Sequence, residues 1–265
     1  MDCSPGYVMP STDADPEQVP TTTPPVFFVH SLESVSDEVF LDGAEGRHAA
    51  TVRRLRIGET LRISDGHGVA IDGRVIEVVE NGLRMAVLRR VPVPVPEPEF
   101  VVIQALPKGD RGELAVALMT EVGVDLIVPW EASRCVTRWH EARGVRSLER
   151  WRSAAREASK QSRRLRMTQV AELTTTRDVC AILVGAELPI VLHERAEHGF
   201  STLELPRRGR IALVVGPEGG LTDAELQALR AAGGQPVRLG EAILRTSTAG
   251  AASVSALAAA VGRWG

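Results

Sequence analysis

Val214-Val215-Gly216-Pro217-Glu218-Gly219-Gly220-Leu221-Thr222 carries a strand into a helix by way of a glycine-rich bend. Ile211 to Val215 is apolar throughout and bounded by glycine, the pattern of a buried strand. Thr222-Asp223-Ala224-Glu225 has the capping-box form, in which the Thr hydroxyl takes the Glu225 amide and the Glu side chain reaches back. Leu226, Leu229 and Arg230 continue at helical spacing until Gly233-Gly234 stops the helix. A second bend, Leu239-Gly240-Glu241-Ala242-Ile243-Leu244-Arg245-Thr246, also follows a short apolar run and also opens a helix. Glycine at a strand end lets main chain come close to a ligand, because no Cβ intervenes. Two such bends on neighbouring strand ends would wall a pocket with backbone.

The motif rules do not name the ligand. No Lys-Ser/Thr follows the glycines, which excludes a Walker A loop, and the G-x-G-x-x-G spacing of dinucleotide folds is absent. Taken alone, the glycines are also compatible with tight turns that bind nothing.

Gly216-Pro-Glu-Gly-Gly220, combined with Leu239-Gly240 and Ile243-Leu244-Arg245-Thr246, resembles the ribosomal RNA small-subunit methyltransferase E family of the SPOUT (trefoil-knot) superfamily. Lys108-Gly109-Asp110, Thr120-Glu121-Val122-Gly123-Val124, Ser133-Arg134-Cys135 and Glu157-Ala158 with Gln161-Ser162 and Arg164 fit as well. So does His48 with Val52-Arg53-Arg54-Leu55-Arg56-Ile57-Gly58. The resemblance covers about nine tenths of the chain, all but the first two dozen residues. Two positions depart from it. Ser247 stands where the family usually carries Glu, and the strand near Phe27-Phe28 lacks a common Arg.

Length allows one large or two modest domains. The formal net charge of −3 gives no whole-chain reason to expect a polyanion partner. That average hides an asymmetry: Arg134 to Arg166 holds eleven Lys and Arg against three Asp and Glu. Such a local field attracts phosphate backbones whatever the total. Cys3, Cys135 and Cys180 are odd in number and widely spaced, which argues against a structural zinc site and suits a reducing cytoplasm. No C-x-x-C or Cys/His cluster appears, so no metal is expected, and neither a signal peptide nor a membrane span is legible, so no membrane is expected.

Along the chain, residues 1–24 are rich in Pro, Thr, Ser and Asp and are expected to be a disordered extension. Residues 25–91 read as a small antiparallel barrel, with strands around Thr60–Ser64, Val69–Ile76 and Leu83–Leu88 and a turn at Asp65-Gly66. Its relatives resemble PUA-like or OB-like RNA-binding barrels. Alternating prolines at 92, 94, 96 and 98 predict a stiff linker over 92–98. Residues 99–265 alternate strand and helix, which predicts a parallel α/β domain. The knot of a SPOUT domain is implied only by the resemblance.

The amphipathic stretch Glu149–Arg166 predicts a helix with Trp151, Ala154, Ala155, Ala158 and Leu165 on its apolar face. Its arginines outnumber the acids able to pair with them at i,i+4, so a nucleic-acid partner is expected. The candidate RNA contacts are Arg134, Arg152, Arg156, Lys160, Gln161, Arg163 and Arg164, with His48 and Arg54 on the barrel.

The resemblance implies S-adenosylmethionine as methyl donor. It implies a cofactor site at Leu192, His193, Gly216, Pro217, Glu218, Gly219, Gly220, Leu239, Gly240, Ile243, Leu244 and Thr246. Arg245 and Glu218 are the candidate catalytic residues, to stabilise charge on the base and to accept its proton. The implied reaction is methylation of N3 of a uridine in the decoding region of 16S rRNA, inside an assembled small subunit, by a cytoplasmic homodimer. A ribose 2′-O-methyltransferase and a non-catalytic rRNA-binding assembly factor are the competing readings.

Overall fold

The computed structural model describes residues 24–32 and 36–264. Residues 1–23, with nearly all of the expected extension and Cys3, lie outside the described residues.

The N-terminal unit contains β1 (Val26–Phe28), β2 (Glu38–Leu41), α1 (Gly43–Arg47), a wider helical turn over His48–Val52, β3 (Thr60–Ser64), β4 (Val69–Val79) and β5 (Gly82–Pro92). Its sheet runs in the order β1-β3-β4-β5-β2. The two edge strands send Phe27 and Leu41 into one core with Leu61, Ile63, Ile71, Leu83 and Met85, so the sheet curls into a half-closed barrel. One pairing departs from the antiparallel expectation: β1 lies parallel to β3. The chain leaves β1 and crosses to the far edge, where β2 pairs with β5, and that crossing leaves β1 running alongside β3 in the same direction.

The second unit contains β6 (Glu99–Ala105), α2 (Arg111–Glu121), β7 (Leu126–Trp130), α3 (Glu141–Gln161), β8 (Gln169–Val170), α4 (Thr176–Val184), β9 (Leu188–Leu192), β10 (Arg210–Val215), α5 (Asp223–Ala231), β11 (Gln235–Val237) and α6 (Thr246–Val261). The sheet order is β11-β9-β10-β6-β7-β8, and every neighbouring pair is parallel. Strands β6 and β10 are buried almost without a break, as a parallel sheet covered on both faces requires. After β11 at one edge the chain returns to the middle of the sheet. Gln104 Nε2, on β6, donates to the Thr246 carbonyl at 3.3 Å and fixes the start of α6 there. Helix α6 then packs on α2. A Cβ added at Gly250 would lie 2.8 Å from Met119 Sδ, so the small side chains of α6 are what admit this approach.

Helix α3 extends further back and ends sooner than the Glu149–Arg166 pattern predicts. Its first turns carry little apolar signal. Its end is set by Arg163 in the left-handed region (φ 55), with the Arg163 and Arg164 amides closing on the carbonyls of Lys160 and Ser159. This is a helix stop made without glycine. It frees Leu165 to Met167 to meet the barrel. Ser64 Oγ donates to the Leu165 carbonyl at 2.6 Å and the Met167 amide to the Gly66 carbonyl at 2.9 Å. Arg166 donates to the Val93 carbonyl at 3.0 Å.

The same turn aims Arg164 at Asp125, just before β7. Asp125 accepts from Arg164 Nη2 at 3.1 Å, from Arg263 Nη1 at 2.6 Å and from the Phe100 amide at 2.9 Å. The two guanidinium side chains are 14% exposed and the carboxylate 11%. Arg263 also lies over the Phe100 ring at 4.3 Å. Removing one partner of a buried pair strands the other charges. Asp125→Ala is therefore expected to cost about 3 kcal/mol in urea unfolding. Glu149→Ala, which breaks an exposed pair, is expected to cost less than about 1 kcal/mol.

Candidate cofactor cleft

Three connections meet at the carboxyl ends of β9, β10 and β11. Between them lies a cleft of about 1040 Å³. At the β10 end, the Gly220 amide closes on the Pro217 carbonyl at 2.9 Å, and Gly220 takes the φ of 70° that this turn needs. The capping box forms as the sequence predicts: Thr222 Oγ1 accepts from the Glu225 amide at 3.2 Å, and Glu225 Oε2 accepts from the Thr222 amide at 2.9 Å.

Other loops stitch this bend in place. Arg134 Nη1 donates to the carbonyls of Gly219 and Leu221 at 3.0 and 3.1 Å. The Ser133 amide donates to Glu225 Oε1 at 2.7 Å, and the Lys108 amide to Glu218 Oε1 at 3.1 Å. The connections after β6 and β7 thus both hold the connection after β10. Next to Arg134 in sequence, Cys135 is buried with its thiol 3.9 Å from the Trp130 carbonyl, and desolvation pushes its pKa up. The third connection, Leu239–Arg245, stands out into solvent, with Ile243 82% exposed.

Every residue predicted for the cofactor site lines this cleft: Leu192, His193, Gly216, Pro217, Glu218, Gly219, Gly220, Leu239, Gly240, Ile243, Leu244 and Thr246, together with Arg245. Arg245 caps the start of α6 without a side-chain cap bond. It has no carboxylate within 4 Å among the described residues, so it is not tied to Glu218. Sequence reading missed Arg111, Glu194, Arg195, Asp223, Arg238 and Glu241, which also line the cleft. Most of these lie within a few residues of a strand end, a signal that was available. The walls thus present main-chain groups and both signs of charge. A ligand carrying a carboxylate, an ammonium, a sulfonium and a flat heterocycle, as S-adenosylmethionine does, matches that lining.

Arg134, expected on the RNA surface, is exposed and gives its Nη1 to two carbonyls of the cleft loop. Several cations of the basic helix and of the segments flanking it find acids, some far away in sequence, while Arg143, Arg146 and Arg156 are exposed without an ion pair among the described residues. Arg152 pairs with Glu149 at 2.8 Å and Glu172 at 2.6 Å, Arg150 with Glu113 at 2.8 Å, and Arg138 with Glu131 at 3.1 Å. Lys160 lies 2.5 Å from Glu45 of the barrel and 3.3 Å from Glu157, and is only 17% exposed. Arg164 is consumed by Asp125. Of the predicted contacts on this helix and its end, Arg156, Gln161 and Arg163 remain exposed without an ion pair among the described residues. On the barrel, Arg54 is exposed and His48 stands edge-on to Phe27 with ring centroids 6.0 Å apart.

A family model described as an RNA methyltransferase domain matches residues 95–258, and one described as an RNA methyltransferase PUA domain matches residues 41–83. Ribosomal RNA small subunit methyltransferase E of Mycobacterium bovis is 43% identical over 90% of this chain and 93% of its own. The Bacillus subtilis protein of that name is 27% identical over 82% of this chain and 88% of its own. The crystal structure of the Neisseria gonorrhoeae protein of that name, bound to S-adenosyl methionine, superposes with a TM-score of 0.77 at 27% identity. It covers 90% of this chain and 98% of that one. Fold, cleft and matches define an RNA methyltransferase that uses S-adenosylmethionine. More narrowly, the chain belongs to the ribosomal RNA small subunit methyltransferase E family.

A Cβ at Gly240 would meet no atom within 4 Å, so a side chain there extends into open space at the cleft wall. Gly240→Val is expected to leave the melting temperature in place and weaken S-adenosylmethionine binding at least tenfold by calorimetry. Burial alone would raise the Glu225 pKa, but hydrogen bonds from Ser133 and Thr222 outweigh it and hold the pKa low. A depressed folded-state pKa means that this contribution is complete above the unfolded carboxylate range, near 4.5, and is lost as pH falls through the lower folded value. Glu225→Gln should therefore flatten the acid limb of a stability-versus-pH curve while leaving the alkaline limb unchanged.

Proposed function

We propose that the protein methylates N3 of one uridine in the decoding region of 16S rRNA, with the assembled small subunit as substrate. In this reading it works as a cytoplasmic homodimer, with residues 25–91 as the RNA-binding barrel, 92–98 as the linker and 99–265 as the catalytic domain. The observation that carries the reading is the meeting of Gly216–Gly220 and Leu239–Thr246 at one cleft beside Arg245 and Glu218. Among the described residues no helix is long and apolar enough to cross a membrane.

S-adenosylmethionine, when bound, supplies an electrophilic methyl group on a sulfonium, so positioning provides much of the rate. The chain's own task is the base. Uracil N3 carries a proton at neutral pH, and that proton must leave as the N–C bond forms. Glu218 keeps one carboxylate oxygen on the Lys108 amide, which orients the other to receive the proton. Arg245 has no competing carboxylate among the described residues and can neutralise charge developing on O2 or O4 of the ring. The open N-terminus of α6 adds its partial positive charge at the same place. N3 lies on the Watson–Crick edge, so the uridine enters the cleft unpaired.

Incubation with S-adenosylmethionine and small subunits from a strain lacking the enzyme should yield 3-methyluridine by nucleoside mass spectrometry. A 2′-O-methylated product would replace this reading with the ribose one, and no methylation with that of an assembly factor. Arg245→Ala should lower kcat by about 10²-fold, the scale of losing a charge-stabilising donor, with S-adenosylmethionine affinity unchanged.

A further inference from the structure

At the carboxyl end of the central strand β6 stands a polar side chain that the domain encloses completely. Gln104 is wholly buried and lies in register between Val215 of β10 and Pro129 of β7. Its Nε2 donates to the Ala105 carbonyl at 3.0 Å and to the Thr246 carbonyl at 3.3 Å. Two carbonyl oxygens dictate which way the amide faces, since only its nitrogen can donate. Its Oε1 is then left buried without a hydrogen-bond partner among the described residues. An enclosed acceptor with no donor costs stability, and a thioether or hydrocarbon of the same size would not. Packing therefore gives no reason for an amide here. The Thr246 carbonyl does not require one either, because in the first turn of α6 that oxygen takes the amide four residues on.

What the amide does is tie the sheet to one wall of the cleft. Residues 239–244 make no hydrogen bond to another described residue, so Arg245 is not held from that side. On the other side, the Thr248 and Ala249 amides both close on the Arg245 carbonyl at 2.9 Å, which makes this cap residue part of the first turn of α6. Thr246 and Ser247 are buried, while Arg245 is exposed in the cleft. The turn behind Arg245 therefore aims it, and Gln104 is the side chain of the sheet that grips that turn. A guanidinium neutralises charge on a ring oxygen only where its donors meet that oxygen, and a displacement of about 1 Å can cost on the order of 10²-fold in rate.

We propose that Gln104 is a positioning residue for methyl transfer: its buried amide holds the first turn of α6 so that Arg245 meets the target base. Gln104 itself does not line the cleft, so it acts through Arg245 and touches neither base nor methyl donor. This role rests on the reading of Arg245 as the group that neutralises charge on the ring. At this position stability is given up for geometry, so the two separate on substitution.

In the full chain, Gln104→Met keeps the volume and removes the donor, and Gln104→Leu does the same with a different shape. For each, melting temperature is measured, S-adenosylmethionine binding by calorimetry, and methylation of small ribosomal subunits by steady-state kinetics. Gln104→Met is also combined with Arg245→Ala in a double-mutant cycle. Gln104→Met should melt at or above the wild-type temperature, because the stranded acceptor is gone. Its kcat should fall about tenfold with KM for subunits within about twofold of wild type, the mark of a group misplaced in the transition state. Methyl-donor affinity should hold, which also reports an intact cleft. In the Arg245→Ala background the same substitution should cost less than about twofold in kcat, because the side chain it aims is absent. Full kcat in both Gln104 variants, beside a slowed Arg245→Ala, overturns the positioning role alone. Equal losses with and without Arg245 also overturn it, since they mark a residue that serves only the fold. Full kcat in Arg245→Ala overturns the reading of Arg245 and the role of Gln104 together.

Discussion

A single carboxylate, Asp125, holds together parts of the chain that are distant in sequence. It takes the Phe100 amide at the start of the central strand, Arg164 from the turn after α3, and Arg263 from beyond α6. Two positive charges on one negative charge in a half-dry site would be costly without the extra carbonyl acceptors. Arg164 finds these at Thr120 and Arg166, and Arg263 at Pro98 and Gly123. The turn that delivers Arg164 also presents Leu165 to Met167 to the barrel. The placement of the barrel on the catalytic domain therefore follows from how that one carboxylate is satisfied.

The two ends of the parallel sheet are built on different terms. At the amino ends, buried charges are satisfied by a shared carboxylate and by carbonyl acceptors, and the chain is locked. At the carboxyl ends the connections are glycine-bearing and partly exposed, and they are kept in position by side chains reaching over from neighbouring loops. Arg134 and Glu225 fix the bend after β10, yet the bend after β11 is left standing free. One wall of the cleft is thus rigid and the other can adjust, as a site that admits and releases a ligand on each turnover requires.

Features set by neighbouring residues were legible in the sequence. The strand ending at Val215, the capping box Thr222–Glu225 and the start of α6 at Thr246 depend on contacts spanning a few positions, and all stand where the pattern puts them. The cleft residues were legible because glycine-bearing bends fall at strand ends. The ion pairs of the basic helix were only partly legible, for the opposite reason. Its arginines look unpaired when only i,i+4 neighbours are counted, but Glu113, Glu172 and Asp125 arrive from other elements. The close of α3 was hidden because Arg163 adopts a conformation that normally announces itself with glycine. The parallel β1–β3 pairing was hidden because no local pattern records which edge a strand will join.

The thiol at position 135 lies in the core against the Trp130 carbonyl, one residue after the arginine that holds the bend after β10. Burial keeps that sulfur protonated and out of reach of alkylating reagents. It can react only when the connection after β7 opens. The protein therefore carries an intrinsic reporter of breathing in the connection that braces its cleft: the pace of Cys135 modification, set against that of the more open Cys180, registers how often that connection comes loose.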